Sequence, residues 1–120
     1  MINRMVLFVV EITINEGEFD QFEGVAKVMT AGSRMEAGTL GYEWCLSSDR
    51  KRCRLIEAYA DSDAVVAHMT GPVVQELVPK ALAVASITGF SVYGDLSLEA
   101  ARIMAGFGAE VFAPWLGLKR

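Results

Sequence analysis

One histidine, two cysteines and three prolines in 120 residues leave few side chains on which chemistry can be built. With a single imidazole, His68, the chain cannot form a paired-histidine metal motif, and any work that needs an imidazole falls to that residue. Cys45 and Cys53 are too few for a structural zinc site on their own. A turn centred on Asp49 would set them nearly opposite on neighbouring strands, and a one-residue slip would separate them. Two buried thiols in a reducing compartment are the expectation, a disulfide the alternative. Glycine-rich phosphate loops and nucleophile elbows are absent, which removes support for nucleotide cofactors and for serine hydrolysis. Positive charge is scarce: 11 Lys and Arg against 15 Asp and Glu give a net charge of -4, a poor match for a phosphate backbone, so no nucleic-acid partner is expected. Long hydrophobic runs are missing too. Residues 1–14 are apolar but broken by Arg4 and Glu11, too short to span a bilayer, and lack a small-residue cleavage site before Asn15. No membrane partner is expected, and the protein is placed in the cytoplasm.

What the chain does have is apolar surface. At 120 residues it is the size of one domain, and 52% hydrophobic content is high for so small a body, so part of that surface is expected to meet a second copy. Residues 4–14, rich in Val, Ile and Phe, read as a buried strand. Asn15, with Glu18 three residues on, reads as a helix cap, and Phe19, Phe22, Val25, Ala26 and Met29 form one apolar stripe that ends at Gly38. Residues 39–47 and 53–60 read as a hairpin around a basic turn at 48–51, which a solvated loop explains. Asp61-Ser62-Asp63 starts a second helix, broken at Gly71-Pro72 and again at Pro79, before a fourth strand over 86–96. Strand, helix, strand, strand, helix, strand is the ferredoxin-like α+β order, with the helices on one face of an antiparallel sheet. Residues 1–96 form this body. Residues 97–120 add a helix capped by Ser97 and an apolar tail, Val111 to Leu116, expected to cover either its own domain or a partner subunit.

The hairpin concentrates candidate chemistry. Tyr42 and Trp44 share one face of its first strand, and Glu57 and Tyr59 share one face of its second, beside the helix that carries His68. A carboxylate in an apolar strand needs a partner, and Arg54, Arg52 or a tyrosine hydroxyl could supply it; Glu57 and Arg54 are read as structural residues at a dimer interface, catalysis by Glu57 being the alternative. Met29, Met35, Met69 and Met104 read as core fillers, with Met29 and Met69 also suited to a pocket for flat ligands.

Gly17 with Phe19 and Phe22, then Glu36-Ala37-Gly38 followed by Tyr42-Glu43, then Glu57-Ala58-Tyr59 with Asp61, Ala64 and His68, resemble the antibiotic biosynthesis monooxygenase family of dimeric alpha-beta barrels. The small bacterial quinol monooxygenases are the nearest in pattern. The resemblance runs from about Met5 to Tyr93, and the segment from Val92 to Ser97 with the final aromatic-glycine stretch is similar to a longer subgroup. It implies a homodimer whose two four-stranded sheets close a barrel, with a ligand cavity in each subunit between sheet and helices. It also implies oxidation of a quinol or polycyclic phenol by dioxygen to a quinone with no cofactor, neither metal, flavin nor haem. One branch of the superfamily degrades haem through a histidine in the helix after strand three; Val78 falls at about that position here, so haem degradation is not expected.

Such an oxygenase makes its substrate the reductant, and so needs a base, donors for a developing oxyanion and a dry apolar slot. His68 is the candidate base or proton relay, the alternative being a helix-face histidine bonded to backbone. Tyr59 is its catalytic companion. Tyr42 and Trp44, with Met29 and Met69, are candidates to bind the aromatic substrate, a phenol or indole hydrogen steadying the oxyanion. The rival expectation is a stress-associated or ligand-binding barrel that holds an aromatic molecule without turning it over. A solvent-facing His68 over a purely apolar cavity would favour that rival.

Overall fold

A computed structural model of the chain describes residues 4–118 and 120. The outermost ends of the two segments expected above, residues 1–3 and 119, lie outside the described residues. Strand β1 (Val6–Ile14) leads through a turn at Gly17 into helix α1 (Phe19–Arg34), and β2 (Thr39–Leu46) and β3 (Arg52–Tyr59) form the hairpin. Helix α2 (Ser62–Thr70) is followed by a π-helical turn, Val73–Leu77, and by α3 (Val78–Leu82). Strand β4 (Ala85–Tyr93), helix α4 (Leu98–Gly106) and a short β5 (Glu110–Phe112) complete the order. The sheet runs β2-β3-β1-β4-β5, antiparallel except for the β4–β5 pair, so the ferredoxin-like α+β expectation holds. Among the described residues no helix is long and apolar enough to cross a membrane.

Period-two alternation decides which face of the sheet is covered. Val6, Phe8, Val10, Ile12 and Ile14 of β1 are buried under the helices, beside Tyr59, Leu55 and Cys53 of β3 and Val92 of β4. The intervening residues, among them Leu7, Ile56 and Tyr93, stay partly exposed on a face that no helix covers.

Several local expectations are corrected. Helix α1 begins at Phe19 without a side-chain cap; the Asn15 side chain donates to Glu18 Oε2 (3.1 Å), and Gly17, at φ +79°, takes the tight turn that delays the helix. The same helix stops at Arg34, before Gly38. Gly38 serves instead for close approach, since a Cβ there would lie 2.4 Å from Cβ of Ala64 on α2. Met35, just past the helix end, is 84% exposed and fills no core, whereas Met104 is fully buried. The hairpin register pairs Cys45 with Arg54 and Leu46 with Cys53, so the thiols fall on opposite faces and are free; Cys45 is exposed, not buried.

The break in the second helix is as expected, and α4 of the C-terminal segment lies against α2. Ser97 caps α4 by accepting from Ala100 N–H, and Ala100 and Met104 enter the core. The chain then returns to add β5 beside β4, with Phe112 stacked on Tyr93 at 5.3 Å between ring centroids. Pro114 lacks the N–H that a further ladder bond requires, and beyond it Trp115 is 89% exposed, so the last apolar residues cover nothing within the chain.

Candidate functional site

The hairpin register aligns Tyr42 with Glu57 and Trp44 with Leu55 on the covered face. The Asp61 carboxylate caps α2 by accepting from Ala64 N–H (2.9 Å), and this start sets Val65, His68 and Met69, at helical three- and four-residue steps, toward the sheet. Helix α1 presents Phe22, Met29 and Ser33 from the other side. A cavity of about 220 Å³ lies between them, walled by Phe8, Val10, Phe22, Met29, Met69 and Phe90, with Tyr42, Trp44, Glu57 and His68 among its lining. Among the described residues no lysine or arginine lines it.

His68 is 2% exposed, and its partners are side chains, not backbone. Its Nδ1 lies 2.7 Å from Glu36 Oε1, and its Nε2 lies 3.4 Å from Glu57 Oε1. The Thr39 hydroxyl donates to the same Glu36 oxygen at 2.7 Å, and the Tyr59 hydroxyl donates to Glu57 Oε1. The Tyr59 and Tyr42 rings flank the imidazole, with centroids 5.1 and 5.9 Å away. Because the two ring nitrogens point to different carboxyl groups, Glu36, His68 and Glu57 do not converge on one point where an ion could sit. No group of three or more His, Cys, Asp or Glu side chains suited to a metal occurs among the described residues.

Burial dominates the electrostatics. Glu57, 4% exposed, is pushed up to about 8, chiefly by loss of hydration; the nearby charge of Glu36 acts in the same direction and the Tyr59 hydroxyl acts against it. Burial also holds His68 below its ordinary value, partly offset by the hydrogen bond and charge of Glu36. Tyr59 and Tyr42 are raised by burial first and then by Glu57. At neutral pH the site therefore pairs an uncharged imidazole with a largely protonated carboxyl group. Such a pair can take a proton from one atom of a ligand and return one at another.

Of the residues singled out in the sequence, His68, Tyr42, Trp44, Met29 and Met69 all line the cavity. Tyr59 does not: it is fully buried behind Glu57 and His68 and touches the cavity only through them. The indole N–H of Trp44 is already bonded to Thr30 Oγ1 (2.8 Å), which leaves its ring, not its donor, for a ligand. Of the partners expected for Glu57, the tyrosine hydroxyl is the one found, and Arg54 is not. Alternation puts Arg54 on the uncovered face, where it bonds Glu11 at 2.9 Å, and Glu57 finds its partners inside its own chain.

Glu36 carries part of the family resemblance but is not among the site residues expected from the sequence. A signal for it exists: Thr39 pairs with Tyr59, and α2 starts two residues after Tyr59's neighbour Ala60, so the turn bearing Glu36 and the helix bearing His68 leave the sheet at the same end. Phe8 and Phe90, which wall the cavity, read in the sequence only as core. Ser33, on the same helix as Met29, is fully buried as well.

Comparison with known proteins follows the same geometry. The model of the family described as antibiotic biosynthesis monooxygenase matches residues 5–80. No curated protein matches the sequence. Among solved structures, MupZ from Pseudomonas fluorescens is similar over 98% of this chain and 96% of its own, with 20% identity and a TM-score of 0.83. SnoaB from Streptomyces nogalater, a cofactor-independent oxygenase, is similar over 78% of this chain and 95% of its own, with 18% identity and a TM-score of 0.68. At these identities the likeness is one of fold, and with MupZ it extends through the C-terminal segment.

Proposed function

The chain belongs to the antibiotic biosynthesis monooxygenase family, and we propose that it is a cofactor-independent monooxygenase that converts a quinol or related aromatic phenol to a quinone with dioxygen. The observation that carries this reading is His68, buried at an apolar cavity between two carboxyl groups, where a flat ring can lie against Tyr42, Trp44 and Met29 with its hydroxyl toward the imidazole.

In this reading His68 takes the phenolic proton, and the imidazolium is steadied by Glu36. The phenolate passes one electron to dioxygen. The resulting radical and superoxide combine, forming a C–O bond at a ring carbon that carries hydrogen: para to the oxygen in a phenol, and ortho to it in a quinol, whose para carbon already bears oxygen. Protonation of the peroxide, loss of the hydrogen on that carbon and cleavage of the O–O bond expel one water and leave the second carbonyl. One oxygen atom stays in the quinone and the other leaves in water with both substrate hydrogens. The apolar walls keep bulk water from the radical pair.

The uncovered sheet face, where Leu7, Ile56, Tyr93 and Phe112 remain partly exposed, supports a homodimer that closes a barrel across that face. The test is oxygen uptake by purified, metal-free protein with hydroquinones and naphthols, autoxidation subtracted. Protein-dependent uptake with quinone formation is the expected result. Ligand binding seen by tryptophan fluorescence without uptake would overturn the enzymatic reading in favour of an aromatic-ligand-binding barrel.

A further inference from the structure

We infer that Glu36 is the positioning residue of the site: its carboxyl group accepts the Nδ1–H of His68 and so fixes the tautomer whose Nε2 lone pair is turned to Glu57 and the cavity. A neutral imidazole carries one donor and one acceptor, and the nearer partner decides which nitrogen holds the proton. Glu36 Oε1 at 2.7 Å is within hydrogen-bond range, while Glu57 Oε1 at 3.4 Å lies beyond it, so the Glu36 contact governs. The Thr39 hydroxyl donates to that same oxygen, which marks Glu36 Oε1 as an acceptor of two hydrogen bonds and ties the carboxyl group to the start of β2. Glu36 does not line the cavity and therefore acts through His68.

The titratable groups around the imidazole are Glu36 from the turn before β2, Tyr42 from β2, and Glu57 and Tyr59 from β3. Of these, Glu36 is the one that makes the ring a stronger base, by its hydrogen bond and its charge, against the effect of burial. A base held by an orienting carboxyl group is the arrangement that turns an ordinary imidazole into an effective proton acceptor.

Because His68 is the only histidine, its ring nitrogens can be read by ¹⁵N NMR without ambiguity of assignment. Near pH 7.5 the wild-type spectrum should show a protonated Nδ1 and an unprotonated Nε2. Glu36→Gln keeps the shape but removes the charge; it should move the imidazole titration to lower pH and shift the acidic limb of kcat/KM the same way. Turnover should fall about tenfold or more with KM changed less than about twofold. A protonated Nε2 in the wild-type protein, or an unmoved titration in folded Glu36→Gln protein, would overturn the assignment. The kinetic arm rests on the monooxygenase reading, whereas the spectroscopic arm does not. The expected tautomer without any oxygen uptake would therefore retain Glu36 in its role and discard the oxygenase. The wild-type spectrum alone decides the tautomer should the variant fail to fold.

Discussion

Two carboxylates on opposite faces of one sheet, Glu57 and Glu11, live in different media. Glu57 faces the helices, opposite Phe8 in register; the Tyr59 hydroxyl donates to it, and the imidazole of His68 lies 3.4 Å away. Glu11, three residues along β1 from Phe8, faces outward, opposite Arg54, in an ion pair whose side chains are each about half exposed. On the uncovered face a charge is matched by a counter-ion and by water, and the pair adds little to stability. On the covered face no cation is available, so the carboxyl group meets its environment by keeping a proton. Burial, more than residue type, makes one glutamate a chemical group and the other a surface charge.

The contrast can be broken most forcefully on the covered side. Phe8→Ala removes a fully buried ring that packs on Tyr59 (4.8 Å) and Phe90 (5.5 Å) and walls the cavity; it should cost about 3–5 kcal/mol in urea unfolding. His68→Ala should lower oxygen uptake with an authentic phenol by about a hundredfold or more while the fold persists by circular dichroism. Unchanged turnover would remove His68 from the chemistry.

On the uncovered side, Ile56→Asp should leave the monomer fold intact and shift the sedimentation of the protein from dimer to monomer at micromolar concentration, because it sets a charge in the middle of the proposed interface. Glu57→Gln sharpens the comparison through pH. The native state keeps the Glu57 proton up to about pH 8, whereas the unfolded chain releases it near the ordinary value of 4.5, so stability falls as pH rises through that window. His68 acts in the opposite direction, but only below its ordinary value of 6.5, where the unfolded chain takes up a proton that the native state resists. Between pH 7 and 9 the wild-type protein should therefore lose about 1 kcal/mol that Glu57→Gln does not lose, read from thermal unfolding at the two pH values. The smallest effect belongs to Arg54→Ala. Breaking its pair with Glu11 should cost less than about 1 kcal/mol, and less still in high salt.

Much of this was legible in the chain. Alternation in the hairpin put Tyr42 with Trp44 and Glu57 with Tyr59 on shared faces, the Asp61 start placed His68 on a helix, and the order of elements pointed to the ferredoxin-like fold. Boundaries set by caps were less legible, because Asn15 and Gly38 are good capping residues that tertiary contacts put to other uses: a bond to Glu18 and a close approach to Ala64. The role of the last residues was also hidden. Strand β5 pairs in parallel with β4 across an intervening helix, and no local pattern in three residues announces a partner.

Periodicity and turn chemistry act over a few residues, so the sequence by itself determined the strands, the helices, the break after Thr70 and the face on which Tyr42, Trp44, Glu57 and Tyr59 would lie. Distance across the fold acts between segments far apart in the chain. Only the tertiary structure brought Glu36 to His68 from 32 positions away, sent Arg54 to Glu11 instead of Glu57, and took the water from around Glu57 that would otherwise have kept it an ordinary acid.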